Sequence, residues 1–201
     1  VYARSAANGK RAICLGGAKN HMIVVPDADQ DSTAKGLLAS SMGSAGQRCM
    51  AASVAVGVAN IDPIIDQLVE EARNYKLGVD MGTIVSKAAL DRITNYIDEA
   101  EKMGAKILID GRNATPPEGY ENGYWLGATI LDHVEPDWPS ATDEIFGPVL
   151  SIIRKDNLED AMQVENGNQY GNAAAVFTTS GQVAKTISES ASAGMIGINI
   201  G

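Results

Sequence analysis

An α/β fold, a mostly parallel sheet with helices on both faces in three layers, is what this sequence predicts, and three observations predict it. Strand-like apolar runs and helix-like apolar periodicities alternate along the whole chain. No internal repeat or low-complexity tract interrupts the alternation. The chain is also long enough, at 201 residues with 45% hydrophobic, to bury roughly 70% of the surface its unfolded form exposes. One sheet covered on both faces is the simplest architecture that accommodates such an order.

The elements follow in sequence. His21 to Val25 (HMIVV) is a short apolar run stopped by Pro26, and Ser53 to Val58 is a second strand candidate. Between them helical patterning runs from about Ser32 to Met42 and breaks at Gly43-Ser44-Ala45-Gly46. Asp62 precedes a proline at a first helical position, and Ile61, Ile64, Ile65, Leu68, Val69 and Ala72 share one helical face, with Asp62 as the expected cap. A further helix spans about Ser86 to Met103 on Leu90, Ile93, Ile97 and Ala100, and Gly104 is placed to stop it. Lys106 to Ile109 reads as a strand, and the polar stretch from Asp110 to Tyr124 as an exposed excursion without a domain boundary. The remaining expectations are strands at Gly127 to Leu131, Val149 to Arg154, Ala173 to Thr178 and Met195 to Asn199. Helices are expected at about Leu158 to Glu165 and Val183 to Ala193.

Charge and composition exclude several functions. Sixteen Lys+Arg against 25 Asp+Glu give a net charge of −9, without the clustered basic residues that phosphate-backbone binding requires. The longest apolar runs fall far short of the ~20 residues of a membrane helix. With only Cys14 and Cys49, the chain reads as reduced and intracellular, and a cytoplasmic location is expected.

Gln47-Arg48-Cys49 follows the glycine-loosened helix end and precedes a strand, a setting that holds a thiol among rigid neighbours while leaving it reachable. The adjacent guanidinium of Arg48 favours the thiolate and could bind an anionic substrate. The alternative is that Cys49 is a small buried hydrophobe. Cys14, in Ala12-Ile13-Cys14-Leu15, reads as apolar strand packing. His21 and His133 cannot be placed near Cys49 and read as packing or surface residues, and two histidines with two scattered cysteines make a poor metal site. Gly16-Gly17-Ala18-Lys19-Asn20 has the look of a phosphate loop, but a strand follows where a helix should, so a close approach of backbones is expected. Asp143-Glu144-Ile145-Phe146-Gly147-Pro148 is open to two readings. It is an acidic turn with Phe146 tucked into the core, or a carboxylate for ribose hydroxyls beside an aromatic lining a cofactor pocket.

At these two segments the sequence resembles the aldehyde dehydrogenase superfamily, whose nucleophile sits in a Gly-Gln-x-Cys turn and whose glutamate lies in Glu-Ile-Phe-Gly-Pro. Gly46 to Cys49 and Glu144 to Pro148 carry both motifs in the family's order, and the likeness extends through Lys19-Asn20, Tyr170-Gly171-Asn172 and Gly194 to Asn199. The resemblance implies that Cys49 attacks an aldehyde, that its backbone N–H helps hold the oxyanion, that Glu144 binds the nicotinamide ribose of NAD, and that Phe146 packs near the ring. The superfamily's oxyanion asparagine belongs to a coenzyme domain that these 201 residues do not include.

Aligned on Lys19-Asn20, Leu15 stands where hydrolytic members carry the glutamate that activates water, and a leucine cannot act as a base. Together with Gly17 to His21, Gly46 to Ala51 and Gly119 to Gly123, that departure is similar to the coenzyme A-acylating branch acting on malonate or methylmalonate semialdehyde. Coenzyme A is then the acyl acceptor, and Arg48 suits the substrate carboxylate, or else pairs structurally. A hydrolytic aldehyde dehydrogenase and a non-catalytic assembly module are the competing readings. Val1 and Gly201 look like interior positions of a longer chain, so this is expected to be a catalytic domain lacking its coenzyme domain, unable to turn over alone, and part of a homo-oligomer in the complete protein.

Overall fold

The computed structural model describes residues 1–201 except Ile13 and Leu15. Among the described residues the strands are β1 (Asn20–Val24), β2 (Ala52–Val58), β3 (Lys106–Ile109), β4 (Thr129–Asp132), β5 (Val149–Lys155), β6 (Ala173–Phe177) and β7 (Met195–Ile198). The helices are α1 (Tyr2–Ala7), α2 (Gln30–Met42), α3 (Asp62–Arg73), α4 (Lys87–Met103), α5 (Pro139–Thr142), α6 (Leu158–Asn166) and α7 (Gly181–Ser190).

The strands form one seven-stranded sheet in the order β3-β4-β5-β2-β1-β6-β7. Every neighbouring pair is parallel except β3 with β4. The register pairs His21 with Val54 of β2 and Ala174 of β6, and Val54 in turn with Ser151 of β5. All five positions of β1 are buried, as are the first five of β5. Successive residues of a strand face opposite sides, so both faces of the sheet are covered, as the alternating sequence predicts. The core joins Met22, Ile23 and Val24 of β1, Leu37 and Leu38 of α2, Ile65 and Leu68 of α3, and Ile93 and Ile97 of α4.

Helix ends follow local chemistry. Ser86 caps α4 by accepting from the Ala89 N–H, and Gly104 ends it with a left-handed φ of 111°. Ile61, not Asp62, is the N-cap of α3. The Asp62 carboxylate is instead taken by Arg154 at 2.7 Å, a partner far away in sequence. The excursion after β3 is tied down by Arg112, which pairs with Asp98 and Glu101 of α4 and with Asp110. Two elements lack a strong sequence signal: α1 buries none of its residues, and α5 is a single turn of four residues.

The expected strand packing of Cys14 is corrected. Cys14 is exposed and lies outside any strand, and the Gly16-Gly17 pair that follows it disfavours continuing one there. No helix among the described residues is long and apolar enough to cross a membrane.

Candidate active site

The segments singled out in the sequence all enter strands. Lys19 immediately precedes β1, Cys49 precedes β2, Glu144 to Pro148 precede β5, Gly171 precedes β6 and Gly194 precedes β7. In a parallel sheet these points share one rim, at the amino ends of the strands. The connecting helices α2, α3, α6 and α7 start from the opposite rim, directly after β1, β2, β5 and β6. The site rim therefore faces helix carboxyl ends, where the backbone dipole is negative.

The turn carrying Cys49 is built from three consecutive left-handed residues, Ser44 (φ 54°), Ala45 (φ 53°) and Gly46 (φ 66°). Non-glycine residues in that region cost of order 1–3 kcal/mol each and persist only where the surroundings enforce them. Those surroundings are visible. Gln47 spans to the segment before α4, its Oε1 accepting from the Val85 N–H at 2.9 Å and its Nε2 donating to the Thr83 carbonyl at 3.0 Å. Asn20, at the start of β1, donates through Nδ2 to the carbonyls of Cys49 and Ala51, each at 3.0 Å. Cys49 itself is exposed, and its backbone N–H donates to no carbonyl among the described residues.

Arg48 is also exposed, and its Nη2 donates to the Ser40 carbonyl at 2.8 Å and the Ala39 carbonyl at 3.2 Å. Both carbonyls belong to the last turn of α2, where the Ala39 carbonyl also accepts the Gly43 N–H. The guanidinium thus covers the negative end of a helix beside the Cys49 turn, the structural pairing weighed in the sequence. Nη1 and Nε have no partner among the described residues.

The second turn is held mainly by α4. Arg92 Nη1 donates to the Ile145 carbonyl at 2.6 Å, and the Tyr96 hydroxyl donates to Asp143 Oδ2 at 3.0 Å. Thr142 Oγ1 donates to the other Asp143 oxygen at 3.2 Å. Asp143 is thereby committed, while the half-buried Glu144 carboxylate has no side-chain partner among the described residues. Ile145 is the member of this motif that enters the core, at 1% exposure. Phe146 is 38% exposed with φ 54°, which corrects the reading that tucked it inside: the left-handed backbone at Phe146 turns its side chain out while Ile145 turns in.

The two turns touch through glycine. A Cβ on Gly46 would fall 2.0 Å from the Gly147 carbonyl oxygen, and one on Gly147 would fall 2.6 Å from Ile93 of α4. Cys49, Arg48, Glu144 and Phe146 are therefore parts of one assembly. Gly17 is closely approached by a side chain and not by another backbone stretch, since a Cβ there would meet the Tyr170 ring at 2.8 Å. Leu15 lies outside the described residues.

Residues the sequence reading left unassigned include Asn20, Gln47, Arg92 and Lys19. The Lys19 side chain is 1% exposed, and its Nζ has no hydrogen-bond partner among the described residues. Burial pulls its pKa down to about 7 against the raising influence of Asp143 and then Glu144. His21 is a packing residue, 4% exposed with Nδ1 2.8 Å from Glu165 Oε2, and His133 lies outside, beside Asp132. A cavity of about 330 Å³ adjoins the site, lined by Asn20, Arg48, Met50, Ala174, Met195 and Gly201. A larger one of about 600 Å³, by His21, Thr142, Gln163 and Asn168, contains none of the four residues of the assembly.

With this geometry in place the comparisons with known proteins are direct. The aldehyde dehydrogenase family model matches residues 1–201, and the chain belongs to the aldehyde dehydrogenase family. Over 206 residues it is 45% identical to the Arabidopsis thaliana mitochondrial methylmalonate-semialdehyde dehydrogenase [acylating], covering 100% of this chain and 34% of that one. The malonate-semialdehyde dehydrogenase of Pseudomonas aeruginosa is 41% identical over 208 residues, 100% of this chain and 42% of that protein. A Sinorhizobium meliloti 1021 structure complexed with NAD superposes with a TM-score of 0.93 at 43% identity, over 99% of this chain and 42% of the other. The chain thus spans about two fifths or less of the length of each.

Proposed function

We propose that the protein carrying this chain oxidises malonate or methylmalonate semialdehyde and passes the acyl group to coenzyme A, with Cys49 as nucleophile. The observation that carries the reading is an exposed Cys49 on a turn fastened from two sides and locked by Gly46 against the turn of Glu144. The names of the two relatives support the substrate class and, for the Arabidopsis protein, the acylating outcome.

The Cys49 thiolate adds to the aldehyde carbon, forming a C–S bond and moving the carbonyl π pair onto oxygen. The Cys49 backbone N–H, with no carbonyl to donate to, can hold that oxyanion. The residues fit a dinucleotide, because Asp143 is spent on Tyr96 and Thr142 while Glu144 keeps a carboxylate able to accept from a ribose diol. When bound, NAD supplies the acceptor for the hydride that leaves the same carbon, with Glu144 on its ribose and Phe146 beside its ring. Loss of the hydride restores the carbonyl as a thioester on Cys49. The substrate carboxylate then leaves as carbon dioxide, its bonding pair passing into the thioester enolate, which takes a proton from solvent. Cys49 departs as thiolate when the coenzyme A sulfur takes the acyl group, giving acetyl- or propionyl-coenzyme A. Arg48, with Nη1 and Nε still available, can meet the substrate carboxylate. Leucine at position 15 provides no base for water, in keeping with a thiol acceptor.

The compartment we propose is a reducing one, the cytoplasm, on the two unpaired cysteines. A homo-oligomer, dimer or tetramer, would help cover the exposed Met195, Ile198 and Ile200 at the outer strand. The test is product analysis with the full-length protein, malonate semialdehyde, NAD and coenzyme A. Acyl-coenzyme A is the expected product. Unchanged turnover after Cys49→Ala, or free acid formed equally fast without coenzyme A, overturns the reading.

A further inference from the structure

Both peptide planes that meet at the Cys49 Cα are held by hydrogen bonds, and one of the two holders is a buried side chain. The plane before the Cα is set within the turn, where the Arg48 carbonyl accepts from the Ala51 N–H at 3.1 Å. The plane after it is set by Asn20, whose Nδ2 donates to the Cys49 and Ala51 carbonyls, each at 3.0 Å. In a trans peptide the N–H points opposite to the C=O. With the Arg48 carbonyl turned to Ala51, the Cys49 N–H points out of the turn, and neither it nor the Met50 N–H donates to a carbonyl among the described residues. The same geometry continues one residue on: with the Ala51 carbonyl held by Asn20, the Ala52 N–H points the other way, onto Ser40 Oγ of α2 at 3.3 Å.

Stability alone does not account for an amide at this position. Asn20 is 2% exposed, and its Oδ1 is buried without a hydrogen-bond partner among the described residues. A buried acceptor left unsatisfied costs free energy that an apolar residue of similar shape would avoid. The two groups facing the side chain are carbonyls, so only the amide nitrogen can serve them, and the unmatched oxygen is the consequence. The strand is also irregular here: Asn20 lies opposite Ala52 but His21 opposite Val54, a slip in register. Irregularities of this kind re-aim a side chain and recur beside active sites. The Asn168 side chain donates to the carbonyl of the preceding Lys19, which pins the backbone from which Asn20 reaches.

We infer that Asn20 is a positioning residue for Cys49: by fixing the carbonyls on either side of Met50, it aims the Cys49 N–H at the oxygen of the aldehyde under attack. The inference rests on the proposed role of Cys49 as nucleophile and of its N–H as oxyanion donor. Asn20 acts through the Cys49 backbone and not on the thiol, so its effect falls on the step in which charge develops on that oxygen.

The test is Asn20→Leu, which keeps a similar volume and removes the donor, in the full-length protein at saturating NAD. Two rates are compared: the burst of NADH in the first turnover with malonate semialdehyde, and alkylation of Cys49 by iodoacetamide, followed on the Cys49 peptide by mass spectrometry. Addition to the aldehyde puts charge on an oxygen, whereas displacement of iodide from iodoacetamide does not. The burst is expected to slow roughly tenfold or more, toward the ~100-fold that loss of an oxyanion donor brings, while alkylation proceeds at the parent's rate or faster. Ile97→Val, a substitution in the buried core of α4, controls for lowered stability and is expected to leave the burst unchanged. Equal slowing of both reactions, an unchanged burst, or equal slowing of the burst in Ile97→Val overturns the inference. If Asn20→Leu fails to fold, Asn20→Ala is read by the same criterion. A burst that survives Cys49→Ala would instead strike at the proposed function itself.

Discussion

Gly46 and Gly147 meet with a hypothetical Gly46 Cβ only 2.0 Å from the Gly147 carbonyl oxygen, so the turn of the candidate nucleophile and the turn of Glu144 are in backbone contact. The contact makes the spacing between the two motifs a property of the main chain and independent of side-chain rotamers.

Gly46→Ala therefore combines a left-handed φ of 66° with a backbone clash, and neither can relax without separating the turns. A destabilisation of about 3 kcal/mol or more is expected, measured by urea unfolding, together with faster alkylation of Cys49 as its turn loosens. A stability within 1 kcal/mol of the parent would show that the turns can part freely.

Arg48 separates two roles by two readouts. Arg48→Met removes the guanidinium from the Ser40 and Ala39 carbonyls and is expected to lower stability by about 1 kcal/mol. Binding of a substrate carboxylate adds a rise in KM for the semialdehyde on top of that loss. Kinetics of the full-length protein distinguish them: lost stability at unchanged KM leaves Arg48 as a helix cap alone.

Arg154 and Asp132 set an acid limit. Burial raises the Asp132 pKa, but hydrogen bonds from Arg154 and the His133 N–H outweigh it, so the carboxyl lies below its ordinary value. A carboxyl depressed on folding stabilises the protein above its unfolded pKa of about 3.9, and that stabilisation is lost as pH falls through the lower folded value. Arg154→Met leaves Asp132 buried with the His133 N–H but without its ion-pair partner, costing about 3 kcal/mol at pH 7. The gap between parent and variant should close as pH falls below about 4, followed by chemical denaturation across pH.

Lys19 has the opposite signature. Its pKa falls on folding from 10.5 to about 7, so the folded state disfavours its charge. The penalty is full below pH 7 and fades as pH rises toward 10.5. Lys19→Met should raise the unfolding temperature most at pH 6–7, with the gain shrinking toward pH 10. A constant gain across that interval would mean that Lys19 keeps its charge in the fold.

Much of this was legible in the sequence because the signals were local. The Ser86 cap, the Gly104 stop and the apolar steps of Ile93, Ile97 and Ala100 specify α4 within its own residues, and β3 spans Lys106 to Ile109 as its pattern predicts. The Cys49 and Glu144 turns were legible as motifs with an order. What stayed hidden was long-range pairing. Asp62 looks like a cap until Arg154, from β5, claims its carboxylate, and Cys14 has the apolar neighbours of strand packing yet lies exposed outside any strand. Gln47 and Arg92 carry no periodic signal, since each acts on backbone atoms more than 30 residues away. Phe146 and Ile145 exchange places on one left-handed dihedral that a hydrophobicity pattern does not encode.

Because every turn bearing the candidate chemistry leads into a strand, while α2, α3, α6 and α7 begin at the far rim, the two rims can be edited separately. The exposed Asp156 between β5 and α6 offers a place to splice a reporter or an affinity tag without altering Cys49, Glu144 or the glycine contact between their turns, provided that Asn157 is kept as the cap of α6. The same division tells a library designer where diversity is cheap and where each position already answers to a neighbour across the sheet.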